Sequence, residues 1–157
     1  MTVSFSDTEL VEMVAQAEKI GVGFYECLAG AARSKDARDL FARIAREEKE
    51  HVRELEGLVG AAGGHQTAET YPDENYAYLR ALVEGRAFGD EQSCLRMAKN
   101  TRDESEALRI ASDFEKEVIL FLHEMRRFLP EGKQETVDRL LRGEQEHIAH
   151  LHALGQR

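Results

Sequence analysis

Proline and cysteine are nearly missing from this 157-residue chain, which has two of each, and tryptophan is absent altogether. Proline breaks helices by removing a backbone N–H and clashing with the preceding turn, so its scarcity leaves long stretches free to be helical. Ala, Leu, Glu and Arg fill those stretches and lose little rotamer freedom in a helix, which predicts an all-α class. Cys27 and Cys94 stand alone, without Cys-x-x-Cys spacing, so the chain encodes neither a disulfide framework nor a tetrathiolate iron centre. No run approaches the ~20 apolar residues of a membrane helix. Met1 to Ser6 lack the basic region and apolar stretch of a secretion signal, so a soluble, cytoplasmic protein is expected. Positive charge is also short, with 21 Lys and Arg against 30 Asp and Glu, a net −9. That balance argues against nucleic acid or an anionic membrane as partner. Residues 1–157 most simply form one domain, large enough to bury roughly two thirds of its extended surface.

What the chain does contain is a repeated pattern. Arg46-Glu-Glu-Lys-Glu-His51-Val and Arg142-Gly-Glu-Gln-Glu-His147-Ile each set a Glu three residues before a His. Chance alone supplies on the order of one Glu-x-x-His in a chain of this composition, so a single copy carries little information. The flanks carry more. Residues 46–58 align without a gap on 142–154, matching Arg, two Glu, His and two Leu. Upstream, Glu18 to Phe24 answers Glu115 to Phe121 at an offset of 97, and each lone Glu precedes its Glu-x-x-His by about the same distance. The two halves read as copies of one helical hairpin.

Element boundaries follow from caps and breakers. Ser6-Asp-Thr-Glu9 predicts a capping box opening a first helix that runs to about Arg33. Asp36 is the expected cap of a second helix, ending in the Gly60-Ala-Ala-Gly-Gly64 breaker. Residues 61 to about 101 read as connection, with a short helix from Tyr76 to Gly85 after Pro72 and a break at Gly89. Thr101-Arg-Asp-Glu104 predicts a second capping box and a third helix reaching Leu129. A fourth helix is expected from about Gly132 to Leu154.

At ~1.5 Å of rise per residue, Glu18 lies about 22 Å from the first turn and Glu48 about 18 Å from it on the way back; the second hairpin gives about 21 and 18 Å. All four carboxylates therefore come out roughly level. Each Glu-x-x-His puts both side chains on one helix face, one turn apart, and Ile44, Val52, Leu55 and Leu58, or Leu140, Leu141, Ile148, Leu151 and Leu154, continue that face. The six side chains should point inward. Four ionised carboxylates in such a core must be protonated, hydrogen-bonded or bound to cations. The connection of about 40 residues is far longer than an antiparallel neighbour needs, and suggests a crossover leaving the second and third helices parallel.

Glu18, Glu48, His51, Glu115, Glu144 and His147 are thus the candidate metal ligands. Four carboxylates with two neutral imidazoles carry −4, which two divalent cations cancel. Oxygen-rich ligation suits iron or manganese better than structural zinc. One Glu from each of two helices plus Glu-x-x-His from each of the other two is the pattern of ferritin-like dimetal carboxylate bundles. More narrowly, Ala17-Glu-Lys through Phe24-Tyr25, the Glu47-Glu48-x-x-His51 run and Glu115 to Phe121 resemble the rubrerythrin-like branch of that superfamily, over about residues 10–60 and 100–154.

The resemblance implies a ferritin-like four-helix bundle with a diiron centre, in which Glu48 and Glu144 bridge, Glu18 and His51 complete one iron, and Glu115 and His147 complete the other. It implies oxidation of a diferrous centre by hydrogen peroxide or dioxygen, giving water, followed by re-reduction. Full-length rubrerythrins carry a rubredoxin module with two Cys-x-x-Cys pairs, which this chain lacks, so the electron donor is expected to be a separate, rubredoxin-like protein. They also carry a further carboxylate three residues after the third-helix Glu. Here that residue is Val118, and Glu117 faces elsewhere, which weighs against efficient peroxidase chemistry.

Tyr25, seven residues after Glu18 on the same face, is either a hydrogen-bond partner of the site or a packed core residue. His65, His123, His150 and His152 have no Glu three residues before them and are expected to face solvent, as are Glu47 and Glu50. Asp113 and Asp138 are candidates for orienting the two imidazoles. A homodimer is the expected assembly. A ferritin-like ferroxidase, a dimanganese catalase-like enzyme and an adaptor bundle are the alternatives, the last in conflict with the intact ligand set.

Overall fold

The computed structural model describes residues 7–61, 73–84 and 90–157. Six helices fill them: α1 Asp7–Ala31, α2 Lys35–Ala61, α3 Asp73–Glu84, α4 Glu91–Lys99, α5 Glu104–Arg126 and α6 Glu131–Gly155. Among the described residues there is no strand, and no helix is long and apolar enough to cross a membrane.

Helices α1, α2, α5 and α6 form the bundle that the repeat predicts. Short turns close the α1–α2 and α5–α6 hairpins, and cross-helix contacts give the directions of the rest. Along α2 and α6, Asp36 meets Arg157 at 3.4 Å, Glu47 meets His147 at 2.9 Å and Glu54 meets Arg139 at 3.3 Å, so these helices run antiparallel. On the other side, Tyr25 reaches Ala111 and Glu115 while Gly21 lies against Phe114, so α1 and α5 are also antiparallel. Since α1 opposes α2, helices α2 and α5 share a direction, as the crossover reading requires.

Local chemistry moves several boundaries. The second helix is capped by Ser34, whose hydroxyl accepts the Ala37 N–H at 3.1 Å; Asp36 instead sits in the first turn, where its charge complements the helix dipole. Likewise Asp103, not Thr101, caps α5. Its carboxylate accepts the Glu106 N–H at 2.8 Å, and Glu106 accepts the Arg102 N–H in return. A carboxylate cap with Glu three residues on outcompetes the hydroxyl two residues earlier, and Thr101 closes α4 by donating to Ala98. Helix α4 itself falls where only connection was expected. Asp90 caps it through Ser93, and its buried Cys94 and Ala98 face the bundle. The Ser6 cap, the glycines after Ala61, His65, Pro72 and Gly89 lie outside the described residues.

Among the described residues the interior is apolar apart from Thr136 and one band of Glu and His. Against that band lies an aromatic layer in which Phe24 stacks on Phe114 at 4.9 Å and Tyr25 meets Phe114 edge-on at 6.1 Å. Gly21 makes the layer possible. A Cβ there would approach the Phe114 ring to 3.2 Å and Glu48 Oε2 to 3.4 Å, so a side chain at this position requires the ring to give by a few tenths of an ångström. Because Phe24 is fully buried and stacked, Phe24→Ala should lower stability by about 3–5 kcal/mol. Denaturant unfolding of the metal-free protein measures this, and a loss under about 1 kcal/mol would show that the layer does not hold the bundle together.

Candidate metal centre

All six residues singled out by the repeat meet in the bundle interior. Glu18 comes from α1, Glu48 and His51 from α2, Glu115 from α5, and Glu144 and His147 from α6. Each carboxylate is at most 1% exposed and His51, the most open of the six, is 9% exposed. They fall into two groups, Glu18, Glu48, His51 and Glu144, and Glu48, Glu115, Glu144 and His147, whose donor atoms lie within 4.8 Å of one another.

Glu48 and Glu144 belong to both groups, and the contacts explain why. His51 Nδ1 lies 2.8 Å from Glu144 Oε1 and 3.7 Å from Glu48 Oε2; His147 Nδ1 lies 3.0 Å from Glu144 Oε2 and 3.3 Å from Glu48 Oε1. Each shared carboxylate therefore turns one oxygen to each imidazole. Glu18 adds an oxygen 3.6 Å from His51 Nδ1, and Glu115 adds one 3.4 Å from His147 Nδ1. The two rings stack with centroids 5.7 Å apart.

Such a cluster cannot stay fully ionised in an apolar core. Burial pushes the Glu18 carboxyl well above the usual carboxylate range, and the charges of Glu144 and Glu48 push it further. Burial and then Glu144 raise Glu115 likewise. For Glu144 burial acts upward too, but the contacts from His147 and His51 outweigh it and its pKa falls. At Glu48 burial and Glu144 push upward, yet contacts from Glu18, His147 and His51 prevail and the pKa is lowered. Burial disfavours the imidazolium form of both rings. The carboxylates around them win, led by Glu144 at His51 and by Glu115 at His147, and both pKa values rise far above the ordinary histidine range.

Without cations, protonation is thus favoured at Glu18, Glu115 and both imidazoles and disfavoured at Glu48 and Glu144. Satisfaction is still incomplete. Both oxygens of Glu18 and of Glu48, one each of Glu115 and Glu144, and His51 Nδ1 are buried without a hydrogen-bond partner. Orphaned buried acceptors cost about 1–3 kcal/mol each, and converging on shared points they are what a pair of oxygen-preferring cations would satisfy. The residues therefore fit a two-cation centre by their chemistry.

Surrounding groups hold the cluster in place. The Tyr25 hydroxyl donates to Glu115 Oε1, and burial followed by the Glu115 charge raises its pKa, so the phenol keeps its proton. Glu47, expected to face solvent, instead sets Oε2 2.9 Å from His147 Nε2 and fixes that ring with Nδ1 inward. The miss has a geometric cause. Glu47 lies ~100° round α2 from Glu48, a direction that reads as outward until α6 is seen to occupy that flank.

Asp113 is paired with Arg109 and Lys116, and Asp138 with Arg126, so neither orients an imidazole. Glu50 pairs with Arg53 at the surface. His123, His150 and His152 are exposed, and Val118 is buried at the position where a further carboxylate was sought.

The family model described as Rubrerythrin matches residues 9–155. Among solved structures, a Thermotoga maritima protein provisionally described as a ferritin-like diiron-carboxylate protein has a TM-score of 0.74 at 20% identity, covering 98% of this chain and 97% of that one. At that identity the likeness is one of fold. No curated protein matches the chain.

Proton balance supplies a test. Cations require neutral imidazoles and ionised carboxylates, so loading divalent ions should release protons, drawn from the groups whose pKa values are raised: His51, His147, Glu18 and Glu115. Because these four pKa values are raised, proton competition weakens and apparent affinity climbs as pH rises. Calorimetric titration in buffers of different ionisation enthalpy counts the protons; a count near zero would mean that the metal-free cluster is already deprotonated. Glu18→Leu, which removes two orphaned acceptors, should stabilise the metal-free protein by about 1–3 kcal/mol while impairing cation uptake.

Proposed function

The chain belongs to the rubrerythrin family, and on that premise we propose that it is a nonheme diiron oxidoreductase that reduces hydrogen peroxide or dioxygen with electrons from a separate donor protein. The observation that carries the reading is the pair of buried donor groups sharing Glu48 and Glu144. Glu48 and Glu144 would bridge two ions, Glu18 and His51 would complete one position, and Glu115 and His147 the other.

When bound in its reduced form, the metal pair supplies two electrons and Lewis acidity toward an O–O bond. The rest falls to the chain. Four carboxylates set the charge at −4, so the donor set would be balanced by two divalent cations. Tyr25 keeps its proton on the phenol oxygen and directs it at Glu115, holding that carboxylate toward His147. Glu47 presents its carboxylate to His147 Nε2, which keeps Nδ1 available as a donor on the inner side. The layer of Phe24, Phe114 and Tyr25 excludes bulk water from one side of the cluster.

Peroxide reduction to water consumes two electrons and two protons, and the side of the cluster at His51, the least buried of the six donors, is where protons would exchange.

Stopped-flow oxidation of the anaerobic ferrous-loaded protein by peroxide and by dioxygen tests the reading. Peroxide should oxidise the protein faster than it oxidises free ferrous ion; equal rates would end the peroxidase proposal, and preference for dioxygen would make the protein an oxidase or ferroxidase. Metal analysis after aerobic and anaerobic purification separates iron from manganese. Glu144→Ala should bind fewer than two metals per chain, and retention of two would contradict a bridging role.

A further inference from the structure

The internal repeat allows each half of the cluster to be compared with the other, position by position. At the offset of 96 that relates Glu48 to Glu144 and His51 to His147, Glu47 answers Gly143. At the offset of 97 that relates Glu18 to Glu115, Tyr25 answers Leu122. Both differences remove a supporting group from the same half.

Around His147, Glu47 accepts at Nε2 and Nδ1 is hydrogen-bonded to Glu144. Around His51 the counterpart is the backbone of Gly143, so close that a Cβ there would lie 2.8 Å from Nε2 and 3.0 Å from Cε1, and Nδ1, although 2.8 Å from Glu144 Oε1, makes no aligned hydrogen bond. Glu115 receives the Tyr25 hydroxyl, whereas neither oxygen of Glu18 has a hydrogen bond, Oε2 lying 3.6 Å from His51 Nδ1, and Leu122 is a buried hydrocarbon with nothing to donate. Access differs in the same sense: the His51 side chain is 11% exposed and that of His147 1%.

We infer that the two cation positions are unequal, with the Glu115–His147 position filling first and holding its ion tightly and the Glu18–His51 position filling last and emptying first. The physical reason is preorganisation. A ligand whose far side is hydrogen-bonded is held in its binding rotamer, and loss of such a partner typically weakens metal affinity by roughly 10–100-fold. Glu47 and Tyr25 are the positioning residues that make the difference. Gly143 keeps the His51 ring free of a carboxylate partner and opens that half to solvent, which makes it the route by which an ion enters or leaves. The inference rests on the two-cation reading given above.

Manganese(II) serves as the probe with the metal-free full chain. Titration followed by calorimetry and by electron paramagnetic resonance should resolve two steps about 10–100-fold apart, with an uncoupled bound manganese signal dominating at one equivalent. Crystals grown at one equivalent should show anomalous density beside Glu115 and His147. Glu47→Ala, at a half-exposed position that should not disturb folding, should weaken the first step by about tenfold or more and leave the second in place. Glu47→Gln, which keeps an acceptor oxygen without the charge, should recover part of that loss, and Tyr25→Phe should weaken the same step. Two equal binding constants, density beside Glu18 and His51, or a first step unmoved by Glu47→Ala would overturn the inference while leaving a two-cation centre standing. A protein that takes up no cation at all would overturn both.

Discussion

Four carboxylates share a space from which water is excluded, and the rest of this protein is arranged around that conflict. Their mutual repulsion and desolvation are met by two routes that compete for the same atoms. Protons, favoured by the raised pKa values of Glu18, Glu115 and both histidines, reduce the charge of the cluster but leave oxygens without a hydrogen bond. Divalent cations would neutralise it and satisfy those oxygens together. The cluster is thus a poor means of stabilising a bundle and a good means of binding metal, the expected trade where a site is built against the preferences of the fold.

The bundle supplies what the conflict demands, rigid walls and a common depth. Two hairpins of nearly equal arm length bring one Glu from each of α1 and α5 level with a Glu-x-x-His from each of α2 and α6. Antiparallel packing of α2 on α6 turns the two imidazoles toward each other across the shared carboxylates. The apolar layer of Phe24 and Phe114 keeps water out, and Gly21 lets α1 approach closely enough to seal it. Duplication accounts for the near-symmetry of the inner donors. The surroundings have diverged, so that one imidazole has Glu47 behind it and the other only Gly143.

Much of this was legible in one dimension because helices convert spacing into direction. Glu and His three residues apart must share a face, and equal distances from two turns must bring residues level, so the six buried donors and the four long helices could be read without coordinates. Caps were harder. Ser34 against Asp36 and Asp103 against Thr101 are contests between neighbouring oxygens that differ by a few tenths of a kcal/mol, and backbone geometry decides them. Helix α4 escaped notice because its nine residues are too few to establish a period, and it gains its stability by packing against the bundle.

What the amino-acid order determined by itself was therefore the class, the internal repeat and the inward direction of six Glu and His side chains, all consequences of local periodicity. What only the tertiary structure decided was which helix flanks which. That choice turned Glu47 from a surface acid into the support of His147, aimed the Tyr25 hydroxyl at Glu115, and set the His51 ring against Gly143. Contacts of this kind join residues roughly 90 or more positions apart, and packing between helices, which no local spacing encodes, brings them together.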